Sequence, residues 1–133
     1  MRKNLYTYLY LIIILTISYI FLSCASKMPA LYKDGKPLTI IEYDKIAQKE
    51  FDNDRFDNAI TAYEAIITNY PDKLRASTWA HYEIGFCYYV KKEYDKAEIY
   101  FRKVTNEFQE PAAKKLAQDM LAKIVEAKNK KKK

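Results

Sequence analysis

The sequence predicts an all-α chain: an array of helical hairpins, two repeats plus a C-terminal capping helix, behind an N-terminal signal and lipid anchor. Three observations lead there. Six register positions recur at a fixed spacing, prolines interrupt the helical pattern at Pro71 and Pro111, and a long uncharged run stops at Cys24. A fixed self-similarity of this length means stacked supersecondary units, because one unit cannot bury its apolar face alone.

The first element is the run before Cys24. Met1-Arg2-Lys3-Asn4 is a basic start, and no charge occurs from Leu5 to Leu22, where "LIIILTISYIFL" is almost wholly apolar. Basic n-region, apolar h-region and small residues at the cut are the layout of a secretory signal. Ser23 precedes Cys24, and Ala25 and Ser26 follow it. The stretch "FLSC" resembles the lipobox of bacterial lipoproteins, with Phe21 where that pattern usually has Leu. The resemblance implies cleavage before Cys24 and attachment of diacylglycerol to its sulfur. Residues 1–23 are then a signal peptide and 24–38 a lipidated tether. An uncleaved membrane anchor is the other reading, since the uncharged run approaches the roughly 17–25 residues that a span requires. Both readings tie the domain to a membrane, outside the cytoplasm. Ala25 is not Asp, the residue that retains such proteins at the inner membrane in enteric bacteria, so the expected location is the periplasmic face of the outer membrane.

The remainder is the size of one small domain. Its cysteines are Cys24 and Cys87 alone, so lipid on Cys24 leaves Cys87 without a disulfide partner. The net charge of +6 first suggests nucleic acid. Its placement excludes that reading: Arg2 and Lys3 lie in the signal, and Lys128, Lys130, Lys131, Lys132 and Lys133 lie in a tail. What is left is nearly neutral and shows no basic stripe.

Residues 39–127 carry the repeats. "TIIE", Thr39 to Glu42, reads as a capping box opening the first helix. Tyr43, Ile46, Ala47, Glu50, Ala59 and Tyr63 in the first unit correspond to His81, Ile84, Gly85, Tyr88, Ala97 and Phe101 in the second, each pair 38 residues apart. The small residues Ala47, Ala59, Gly85 and Ala97 mark close helix approach, and Phe56, Tyr63, Tyr94 and Phe101 fill the space between neighbours. Pro71 cannot continue a helix, and Pro111 suits the start of one. The spacing predicts helices over 40–53, 56–69, 74–91, 94–108 and 112–127. In the last, Ala113, Leu116, Ala117, Met120 and Ile124 form the inward stripe, and Lys114, Lys115, Gln118 and Asp119 face out, as a terminal cap requires. Residues 128–133 read as a solvated Lys-rich tail or a weak contact with anionic headgroups.

These positions follow the pattern W-x₂-L-G-x₂-Y…A-x₃-F and resemble the tetratricopeptide (TPR) repeat. Glu50 departs from it by replacing an aromatic, and Lys92 by standing where glycine usually closes the first helix. The period, with "NYPDK" between units and the order lipobox, tether, repeats, resembles the BamD-type outer-membrane assembly lipoproteins. The ending "EFQEPAAKKLAQDML" is closer to the CpoB type of Tol-Pal coordinator. The resemblance covers residues 40–125, with two repeats where BamD-type proteins carry about five. It implies a lipid-anchored adaptor in β-barrel outer-membrane protein assembly, whose partner is a BamA-like barrel-assembly subunit or its substrates. A cell-envelope scaffold of the Tol-Pal kind is the alternative.

No chemistry competes with binding. His81 occupies a packing position, and Cys87, two residues beyond Gly85, reads as core. "DNDRFDN" fails as a calcium loop, because Asp57 stands where glycine is required and Tyr63 replaces the closing glutamate. With only Gly35 and Gly85 no glycine-rich phosphate loop exists. Neither enzyme activity nor a metal or cofactor is expected. In a TPR unit the first helix lines the concave face, which by register presents Ile41, Gln48 and Phe51, then Trp79, Tyr82, Phe86 and Tyr89. Aromatics gathered on one exposed face suit a protein partner.

Overall fold

A computed structural model describes residues 27–130, together with Ile12 alone from the leading segment. Cys24 and the lipid-anchor reading therefore lie outside the described residues. A short hairpin, β1 (Tyr32–Lys33) and β2 (Lys36–Pro37), precedes five helices: α1 (Ile40–Asp52), α2 (Phe56–Asn69), α3 (Leu74–Val90), α4 (Tyr94–Glu107) and α5 (Pro111–Lys130). Each helix packs on the next, and α3 also touches α5. This is the expected all-α stack of helical hairpins with a capping helix, and every helix lies within about three residues of its predicted bounds.

The capping box forms as "TIIE" predicts. The Thr39 hydroxyl accepts from the Glu42 N–H (3.3 Å) while the Glu42 carboxylate accepts from the Thr39 N–H (2.8 Å). The two repeats close their first helices identically. The Asp54 N–H donates to the Phe51 carbonyl and the Arg55 N–H to that of Glu50, both at 2.9 Å. Lys92 and Glu93 repeat this on Tyr89 and Tyr88, also at 2.9 Å. These paired bonds satisfy carbonyls at a helix C-terminus and place one residue in the left-handed region. That residue is Asp54 (φ 58°) in one repeat and Lys92 (φ 61°) in the other, so neither turn uses glycine.

Small residues stand where the helices meet. Ala47, Ala59 and Ala97 are wholly buried. A Cβ added to Gly85 would lie 3.0 Å from the Phe101 ring. His81 and Cys87 are core residues. The His81 ring lies 5.1 Å from that of Phe108, and its Nδ1 is 2.7 Å from the Ser77 carbonyl. A carbonyl only accepts, so Nδ1 carries the proton. Burial lowers the imidazole pKa and pushes the Cys87 thiol up to about 12.

Three expectations need correction. Residues 31–38, read as tether, are built into the fold. Asp34 (φ 51°) and Gly35 (φ 73°) form the two-residue loop, and the Tyr43 hydroxyl donates to the Leu31 carbonyl (2.8 Å). The Tyr70 hydroxyl donates to the Leu38 carbonyl (2.7 Å), pinning the other end. Leu116, assigned to the inward stripe of α5, is 41 % exposed, because Ala113, Ala117, Met120 and Ile124 already fill the face that α4 covers. The tail does not begin at 128: α5 continues to Lys130, and Lys128 pairs with Asp95 (2.7 Å) and Glu98 (2.8 Å). Cations at a helix C-terminus also complement its dipole.

Candidate functional site

Five of the seven predicted groove residues come together as one line of aromatic contacts. Trp79 meets Tyr82 edge-on at 5.8 Å, and Tyr82 lies parallel to Phe86 at 6.5 Å. Phe86 in turn stacks with Tyr89 at 6.4 Å and with Phe51, from the first repeat, at 5.7 Å. The cause is local: residues 79, 82, 86 and 89 recur at i, i+3, i+7 and i+10 on α3, one face of a helix. All five are half-buried, and the four on α3 also pack against the core of the second repeat and α5. The line is therefore a strip with one edge in the core and the other in solvent. Gln48 falls outside it, exposed and hydrogen-bonded to Asp52 (2.9 Å).

Ile41 belongs to a neighbouring feature. It is 67 % exposed, at the mouth of a cavity of about 310 Å³ between α1, α2 and α3. Trp79 stands at the equivalent position of the second repeat and forms the opposite wall, while Tyr63 and Ile66 of α2 lie behind. Two carboxylates, Asp44 and Glu83, also line it. Sequence reasoning missed both. The signal was present, since Asp44 follows Ile41 by three residues and Glu83 follows Trp79 by four, on the same helix faces.

Glu83 is the most perturbed group of the cavity that titrates near neutrality. Burial pushes its carboxyl up to about 7, with the Asp44 charge adding to the shift. Burial also raises the Tyr63 phenol, and the carboxylates of Glu83 and Asp44 raise it further. Among the described residues neither Asp44 nor Glu83 has a cation partner.

A second cavity, about 660 Å³ and shallower, lies between α2, α3 and α4, with His81, Tyr88, Lys96, Tyr100 and Lys103 on its walls. Its cations are already engaged, Lys96 by Glu93 (2.7 Å) and Lys103 by Glu107 (3.9 Å). Among the described residues no cluster of three or more His, Cys, Asp or Glu side chains is placed to hold a metal ion, and no helix is long and apolar enough to cross a membrane.

The tetratricopeptide-repeat family profile matches residues 50–129, more than half of the chain, across the three helices that follow the first turn and the cap. The chain belongs to the tetratricopeptide-repeat family. No curated protein and no solved structure matches it. TPR repeats are scaffolding rather than catalytic units, and this TPR domain is a protein–protein interaction module. Ile41 and Trp79 stand on the first helices of their repeats, so cavity and aromatic strip lie along the first helices.

Proposed function

We propose that the protein is a lipid-anchored TPR adaptor on the periplasmic face of the outer membrane, an accessory component of the β-barrel outer-membrane protein assembly complex. Cys24 carries the lipid, and the face formed by Ile41, Phe51, Trp79, Tyr82, Phe86 and Tyr89 holds the partner. The single observation that carries the binding role is the aromatic strip. Five rings in sequence along one face, each left partly in solvent, provide the rigid apolar anchors that dominate protein interfaces. The anchor rests on the run ending at "FLSC", and the assignment to barrel assembly rests on the BamD-type resemblance of residues 43–89. The CpoB-like ending, now seen as α5, favours a second reading, a Tol-Pal-type envelope scaffold using the same face.

The test is affinity purification of the full chain from detergent-solubilised membranes. A BamA-like subunit should co-elute with the wild type and be lost from the Trp79→Ala/Tyr82→Ala variant, with helical content retained. Each true hot spot is expected to contribute on the order of 2 kcal/mol. Co-elution of Tol-Pal components instead selects the second reading. Fatty-acid labelling checks the anchor: label on the wild type and none on Cys24→Ala is expected, and equal label on both overturns it.

A further inference from the structure

The cavity between the first helices of the two repeats contains charge that the fold itself does not use. Its carboxylates, Asp44 from α1 and Glu83 from α3, face a space walled by Ile41, Ile66 and Trp79. Among the described residues the other acids that are buried or half-buried are matched: Glu50 with Arg55, Glu93 with Lys91 and Lys96, Glu98 with Arg102 and Lys128, Glu110 with Arg75. Asp44 and Glu83 are matched with nothing among the described residues. Half-burying Glu83 beside a second carboxylate opposes folding, and glutamine there would remove the repulsion. A charge kept against the interest of stability is characteristic of a binding site.

We propose that this cavity receives a lysine or arginine side chain from an extended segment of a partner protein, with the methylene stem against Trp79 and Ile41 and the cationic head between Asp44 and Glu83. The proposal rests on the reading of this face as the partner groove and adds what the partner must present. Charge complementarity selects the occupant, because a purely apolar side chain would leave two carboxylates desolvated and uncompensated. The volume suits one long side chain, and long cationic residues lay their stems along apolar walls. Trp79 offers a ring face for the cation as well. A free metal ion fits less well, since two carboxylates are too few ligands and the walls are apolar.

The experiment uses Trp79, the only tryptophan of the chain, as a reporter. The full chain in detergent is titrated with acetyl-Leu-Lys-Leu-amide, its arginine counterpart, and versions carrying norleucine or glutamate at the centre. Lysine and arginine peptides should change Trp79 emission and bind at least about tenfold tighter than the norleucine peptide. Glu83→Gln should remove most of that difference. For wild type, affinity for the lysine peptide should rise as pH passes upward through about 7, where Glu83 ionises. Asp44, Tyr63, Tyr82 and Cys87 are the titratable neighbours of Glu83, and burial raises the two phenols and the thiol, which keeps them neutral in that range. Equal binding of lysine and norleucine peptides, or an unchanged Glu83→Gln variant, overturns the proposal. So does concentration-dependent self-association that vanishes when residues 129–133 are removed and thereby opens the cavity, because the occupant is then the Lys-rich tail of a second copy. If Trp79→Ala/Tyr82→Ala loses the partner while Glu83→Gln binds all peptides normally, the cation assignment falls and the adaptor reading stands.

Discussion

At the turn of the first repeat Glu50 is buried, receiving two hydrogen bonds from Arg55 (2.6 and 2.8 Å) and one from Asn58 (2.8 Å). In the same register 38 residues later stands Tyr88, flanked by the ammonium groups of Lys91 and Lys96, 5.6 and 5.2 Å from its ring centroid. The partner positions have exchanged charge as well. Arg55 corresponds to Glu93, and Glu93 binds Lys91 (2.9 Å) and Lys96 (2.7 Å). One backbone turn, with the same hydrogen bonds, is thus closed by two unrelated chemistries. The first depends on a charged group almost out of water. The second depends on half-buried Lys91 and Glu93, exposed Lys96 and an aromatic ring. The backbone geometry belongs to the repeat, while sensitivity to pH and substitution belongs to the residues that fill it.

The largest expected effect follows from that difference. Glu50→Ala leaves Asn58 and the Arg55 guanidinium without their shared acceptor, and removing one partner of such a buried pair costs about 3 kcal/mol. Lys96→Ala, in the second repeat, removes an exposed pair and a cation–π contact and costs much less. Chemical denaturation of both variants measures the two costs, and equal losses would dissolve the comparison.

Acid separates the repeats next. The Arg55 and Asn58 hydrogen bonds hold the Glu50 carboxyl at about 2, below its unfolded value. Its stabilisation is complete above that unfolded value and is lost as pH falls through about 2. With Arg55 a third exposed to solvent, about 2 kcal/mol is expected from this group. Wild type should lose stability from about pH 5 downward, and Glu50→Gln should flatten that part of the profile. A profile identical to wild type would show that the network is not closed in solution.

Where the repeats are alike, substitution should act on both. Ala59→Phe and Ala97→Phe each place a ring at a wholly buried contact and should cost about 1–3 kcal/mol. A clear drop in the thermal melt for one and none for the other would break the shared register. The smallest effect is a gain. Asp54→Gly and Lys92→Gly relieve the left-handed backbone at equivalent turns, and each should stabilise by about 1 kcal/mol or less. If only one of them raises the melt, the turns differ in strain despite their common hydrogen bonds.

What could be read in advance follows the same division. The helices were legible because Ala47, Ala59, Gly85 and Ala97 are fixed by close approach, and close approach leaves a periodic trace. Glu50 looked like a fault in the pattern, since the compensating Arg55 and Asn58 lie across the turn and break no periodicity of their own. The hairpin was overlooked although Asp34-Gly35 is a strong local signal for a two-residue turn. Two-residue strands are too short to alternate visibly. The aromatic strip was legible because the repeat register puts Phe51 and the four aromatics of α3 on equivalent first helices. The cavity was not, because Asp44 and Glu83 are brought together only by the packing of α1 against α3, and charged residues on helix surfaces are common.

The pinning of Leu31 by Tyr43 also sets a leash length. Leu31 lies seven positions beyond Cys24, at most about 25 Å of extended chain. For a chain lipidated at Cys24, the domain is moored close to its bilayer and cannot range far from it. A partner whose own recognition segment lies beside the membrane then meets the groove at a high effective concentration, and even a weak grip suffices. A partner with its segment tens of ångströms away is out of range, however well its side chains match the groove.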